Sequence, residues 1–127
     1  MSDLETLQDH VLIVEDEFLI VMGLQDQIED GGWQVCATAG TAKDAIAAAQ
    51  KYRPSIVLMD VRLQGDKDGI YAARTIQDSV GSKVIFITGS REPATLARIE
   101  QCQPSAVLFK PISDRQLREA LENAARR

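Results

Sequence analysis

The sequence predicts an α/β domain of (βα)5 type, with helices packed on both faces of a parallel sheet. Three observations carry this. Five short apolar runs recur along the 127 residues: Val11–Val14, Trp33–Thr38, Ile56–Met59, Val84–Thr88 and Ala106–Phe109. Most are continuous rather than alternating, and several are rich in Val and Ile, as in strands covered on both faces. The segments between them carry helical spacing, and short links between strand and helix imply right-handed crossovers.

The elements follow in order. After the first run, residues 17–29 are helical, with Phe18, Val21, Met22 and Ile28 on the inward face and Leu24 and Gln25 at its edge. Glu17 is read as a first-turn acid, favoured by the helix dipole. Asp30-Gly31-Gly32 stops this helix. Thr41 and Asp44 have capping-box spacing and open a second helix with Ala42, Ala45, Ile46 and Ala49 on one face. Arg53-Pro54 ends it. A third helix covers about 69–79, and a short fourth covers about 92–101. Ser113 and Gln116 form another capping box. It leads into Leu117, Ala120, Leu121 and Ala124 at i, i+3, i+4 and i+7, and the helix ends near residue 125.

Composition closes off several function classes. Apolar residues make up 45% of the chain, enough for one packed core of ordinary domain size. The net charge of −5 argues against nucleic acid. The paired basic tail Arg126–Arg127 is read as solvated. His10 is the only histidine, and Cys36 and Cys102 lack metal-ligand spacing, so zinc and His-dependent triads are disfavoured. No run approaches the roughly 18–20 apolar residues of a membrane span, and no signal peptide is evident. The expected compartment is the cytoplasm, with both cysteines free.

In such sheets, chemistry gathers at the carboxyl ends of the strands. The first strand ends on Glu15-Asp16, the third on Asp60, the fourth on Thr88-Gly89-Ser90 and the fifth on Lys110-Pro111. Each alone is commonly a cap, a loop charge or a turn. Together they put three acids, a hydroxyl and an ammonium at one mouth. Neighbouring carboxylates repel, so they call for a proton or a cation. With oxygen ligands only, Mg²⁺ (or Mn²⁺) suits them. Asp60, presented by a rigid strand, can act as a nucleophile toward a phosphoryl group. Lys110 and Thr88 can hold phosphoryl oxygens, and Gly89 leaves room for backbone N–H groups to approach.

With these motifs in this order and spacing, residues 10–125 resemble a receiver domain of two-component response regulators. The resemblance implies a flavodoxin-like, doubly wound sheet of strand order 2-1-3-4-5. It implies Asp60 as phosphoacceptor, with a histidine kinase or histidine phosphotransfer protein as donor. Asp16 and Asp60 would ligate Mg²⁺ directly, Glu15 through water, and Arg62 through its backbone carbonyl. Thr88 and Lys110 would contact the phosphoryl group, and the Lys110–Pro111 peptide would be cis. Such a protein is no enzyme beyond its own phosphorylation and autodephosphorylation. The expected organisation is a single receiver domain over residues 1–127 with no output domain. Output would pass through protein contacts or a homodimer at helix 4, strand 5 and helix 5.

Two departures qualify the resemblance. Val107 stands where receivers usually carry an aromatic partner for the Thr switch, and Phe109 is expected to point elsewhere by strand alternation. "FITGS" is similar to the atypical Phe-x-Thr-Gly receivers (FATGUY), whose members often serve alphaproteobacterial stress-response phosphorelays. Two readings therefore stand: a phosphorylation-controlled interaction switch, and a phosphate sink or shuttle without conformational output. A haloacid-dehalogenase-type phosphatase is disfavoured, because Arg62 occupies the place of its second Asp. A dinucleotide fold is disfavoured because no GxGxxG follows the first strand.

Overall fold

The computed structural model describes residues 10–125, so the tail Arg126–Arg127 lies outside the described residues. Five strands, β1 (His10–Val14), β2 (Gln34–Ala39), β3 (Ile56–Asp60), β4 (Lys83–Thr88) and β5 (Ala106–Phe109), alternate with five helices. These are α1 (Phe18–Asp30), α2 (Ala42–Tyr52), α3 (Gly69–Ser79), α4 (Pro93–Gln101) and α5 (Asp114–Ala125). All strand pairs are parallel, and the order is β2-β1-β3-β4-β5, as the resemblance implied.

The continuous apolar runs are explained by what covers them. Every residue of β3 is buried. Leu12, Val14, Val57, Met59, Val84 and Phe86 face the alanine-rich sides of α2 and α3, together with Ile99 of α4. The alternate residues Val11, Ile13, Ile56, Leu58, Ile85 and Ile87 face α1 and α5. At about 25 cal/mol per Å² of apolar surface, this two-sided burial is the main stabilising term. Among the described residues, no helix is long and apolar enough to cross a membrane.

Local signals set the helix ends. Ser113 Oγ accepts the Gln116 N–H at 3.1 Å while Gln116 Oε1 accepts the Ser113 N–H at 2.9 Å, a complete capping box. Thr41 Oγ1 accepts the Asp44 N–H at 3.1 Å. Beyond α1, Gly32 adopts φ +92°, and the Trp33 and Gly32 N–H groups return to the Ile28 and Glu29 carbonyls. That is a Schellman stop, which glycine makes cheap.

Two expectations need correction. The inward residues of α1 are Leu24 and Ile28, whereas Phe18, Leu19 and Met22 are exposed. The start of this helix is apolar on every side, so spacing alone could not choose its buried face. Glu17 is the residue flanking α1 at its N-terminus rather than a first-turn acid, and its side chain makes no capping bond.

Candidate functional site

Parallel register carries the functional side chains to one edge. Val14 pairs with Met59, Asp60 with Ile87 and Thr88 with Phe109. The residues that end β1, β3, β4 and β5 are therefore neighbours. At that edge lies an open cleft of about 580 Å³ whose lining includes Asp16, Asp60, Arg62, Thr88, Gly89 and Lys110. Glu15 lies beneath it, 3% exposed.

Glu15, Asp16 and Asp60 each offer an oxygen, all within 4.8 Å of one another. Lys110 Nζ lies 3.4 Å from Asp60 Oδ1 and 3.6 Å from Glu15 Oε1. Glu15 Oε2 accepts the Glu17 N–H at 3.1 Å, which fixes the carboxylate, while buried Glu15 Oε1 has no hydrogen-bond partner. Burial, with Asp60 adding repulsion, pushes the Glu15 carboxyl up to about 7. Burial also raises Asp60, against the pull of Lys110. Burial works against the Lys110 ammonium, but the Asp60 and Glu15 charges outweigh it and raise its pKa. One ammonium thus faces a crowd of carboxylates. An all-oxygen donor set with an unsatisfied buried oxygen fits a hard divalent cation.

Thr88, 2% exposed, has its Oγ1 held by the Ser90 N–H at 3.0 Å. The Lys110 N–H donates to the Thr88 carbonyl at 2.9 Å, and the Lys110–Pro111 peptide is cis. Pro111 is outside the cleft lining. No atom beyond its chain neighbours lies within 4 Å of where a Gly89 Cβ would stand, so the cleft rim is open there.

Strand alternation at β5 needs a third correction. Val107 packs with the α2–α4 side of the sheet, while Ala106 and Leu108 pack on the other side. Phe109, two residues after Val107, shares its face rather than pointing elsewhere. Its ring carries the Arg91 guanidinium at 3.9 Å from the centroid.

One residue that sequence reasoning passed over is Gly69. A Cβ there would stand 2.0 Å from the Asp60 carbonyl oxygen, and the Gly69 N–H donates to Val61 O at 2.7 Å. The Asp68-Gly69 pair at the start of the third helix was the available signal.

Comparison with known proteins agrees with this geometry. The family model described as "Response regulator receiver domain" matches residues 11–122. The transcriptional regulatory protein PdtaR of Mycobacterium tuberculosis is 32% identical over 92% of this chain and 57% of its own length. The phyllosphere-induced regulator PhyR of Methylorubrum extorquens is 32% identical over 80% of this chain and 38% of its own. The chain thus spans about half or less of the length of these curated relatives. Among solved structures, the signal receiver domain of a modulated diguanylate cyclase from Desulfovibrio desulfuricans G20 superposes with a TM-score of 0.87. It has 33% identity, over 91% of this chain and 92% of that one. With the strand order, the acidic cluster and these matches in agreement, the chain belongs to the response regulator receiver domain family.

Proposed function

We propose that Asp60 is the phosphoacceptor of a signalling protein that takes its phosphoryl group from a histidine kinase or a histidine phosphotransfer protein. The observation that carries this reading is the placement of Asp60. It is a buried carboxylate at a rigid strand end, 3.4 Å from an ammonium and clustered with two further acids. An Asp60 oxygen attacks phosphorus, the new O–P bond forms as the donor's N–P bond breaks, and the imidazole leaves with a proton.

Asp16 and Asp60, with Glu15 through water and the Arg62 carbonyl, would hold Mg²⁺ (or Mn²⁺). The ion's role when bound is to offset charge on the transferring oxygens. Lys110 holds another oxygen by charge, and Thr88 turns its hydroxyl from the Ser90 N–H toward a third. The protein then reads out the new charge through the surface of α4, β5 and α5, by a partner or by homodimer formation. This is cytoplasmic chemistry. Arg62 and Ser90 flank the site, so exchanging both should change the lifetime of the acyl phosphate; an unchanged half-life counts against a role for either.

A second reading is a phosphate sink or shuttle, favoured by the aliphatic, half-buried Val107 where a switch aromatic is usual. Rapid back-transfer with no partner selective for the phosphorylated form would support it. The test of the shared chemistry is incubation with Mg²⁺ and a small phosphodonor, read by intact mass. One phosphoryl group should be gained by the wild type and none by Asp60→Asn. Incorporation into Asp60→Asn would sink the assignment.

A further inference from the structure

The cleft above Asp60 is strongly acidic. Asp16, Glu17, Asp60, Asp68 and Glu92 line it, against the cations Arg62 and Lys110. Any phosphodonor approaching it is itself anionic. Asp16 and Asp60 belong to the carboxylate cluster that suits a cation, but Asp68 does not. Its charge is met from another element.

We infer that Arg98 is a positioning residue for phosphoryl acceptance: from α4 it grips Asp68, cancels that carboxylate's charge at the cleft and holds it as the cap of α3. The inference rests on the reading of Asp60 as phosphoacceptor. Arg98 Nη1 donates to Asp68 Oδ2 at 2.8 Å and Nη2 to Oδ1 at 3.3 Å, a two-pronged fork. Asp68 Oδ1 also accepts the Tyr71 N–H at 3.0 Å, capping α3. Burial tends to raise the Asp68 carboxyl, but Arg98 and the Tyr71 N–H outweigh it and hold the carboxyl below its ordinary value. The following residue, Gly69, is the one pressed against the Asp60 carbonyl. The chain of contacts therefore runs Arg98, Asp68, Gly69, Asp60. Without Arg98, a bare carboxylate stands at the donor's entrance beside the backbone that presents the nucleophile.

The test is the rate of phosphoryl incorporation from acetyl phosphate with Mg²⁺. The Arg98 side chain is 52% exposed, so the effect is that of a surface charge. Arg98→Ala should slow incorporation about fivefold at low ionic strength, with the gap closing at high salt. Asp68→Asn keeps a capping oxygen without the charge and should speed incorporation. Adding Asp68→Asn to Arg98→Ala should restore most of the lost rate, which a merely structural role for Arg98 does not predict. Arg98→Met keeps the aliphatic stem and replaces Arg98→Ala should that variant fail to fold. Wild-type rates in the Arg98 variants overturn the inference. So does a double variant as slow as Arg98→Ala alone. A wild type that takes up no phosphoryl group overturns the Asp60 reading and this inference with it.

Discussion

At the amino ends of the strands, Ser82 Oγ donates to the Pro54 carbonyl at 2.7 Å and Ser55 Oγ to the His10 carbonyl at 3.1 Å. At the carboxyl ends, Glu15 Oε1 is buried without a hydrogen-bond partner, and of three clustered carboxylates two share one ammonium. Both ends of the same sheet bury polar groups. At one end hydroxyls meet backbone oxygens, and nothing further is needed. At the other, the electrostatics are complete only when something is added. A buried polar group that the protein leaves unsettled costs stability. Among the described residues, its presence at the carboxyl end alone separates the edge whose donors suit a cation from the one whose polar groups are already paired.

The largest break in this comparison should come from Gly69→Ala. A Cβ 2.0 Å from the Asp60 carbonyl oxygen cannot be housed without moving backbone, because the obstacle is no flexible side chain. The expected loss is about 3 kcal/mol or more of stability, read by denaturant unfolding. If Asp60 is the phosphoacceptor as proposed, phosphoryl uptake should fall roughly 10- to 100-fold, since Asp60 moves with its strand end. A variant as stable and as reactive as wild type would show that β3 and α3 can part at no cost.

How far the sequence revealed this edge depends on the distance over which each signal acts. The strand runs were legible because two-sided burial demands near-continuous apolar residues, as β3 shows. The cluster of Glu15, Asp16, Asp60, Thr88 and Lys110 was legible because parallel topology sends every strand end to one edge. The inward face of α1 was not legible, since Phe18–Met22 is apolar all round and only tertiary packing selects Leu24 and Ile28. The crowding at Gly69 and the grip of Arg98 on Asp68 are contacts across loops, with no local pattern in the chain. The misreading of Phe109 was one of parity: positions 107 and 109 share a strand face.

Glu15→Gln should give the next largest effect, and with the opposite sign. In the native protein Glu15 titrates at about 7, against an ordinary 4.5. Between those values the folded state keeps a proton that the unfolded chain has released. Stability of the metal-free protein therefore falls as pH rises through that window, and the penalty is complete above it. Glutamine mimics the protonated form and removes the penalty. At pH 8 the variant should be more stable by on the order of 2 kcal/mol, with the difference vanishing near pH 4.5. Melting temperatures across that range check this. Parallel curves for the two proteins would mean that the crowded carboxylates carry no titrating penalty.

The smallest effect belongs to the settled end. Ser82 is 6% exposed, and its hydroxyl closes on the Pro54 carbonyl. Ser82→Ala removes the donor and leaves that carbonyl one partner short, at about 1–2 kcal/mol. The neighbouring bond from the Lys83 N–H to the Ser55 carbonyl, 2.9 Å, is made by backbone and survives the change. The register of β4 is therefore retained, and with it the position of Thr88 at the far end. Denaturant unfolding should show the loss, while the rate of phosphoryl incorporation with Mg²⁺ stays at the wild-type value. A fall in that rate comparable to the one caused by Gly69→Ala would mean that the two ends are coupled through the strands, and the division between a closed edge and a reactive one would fail.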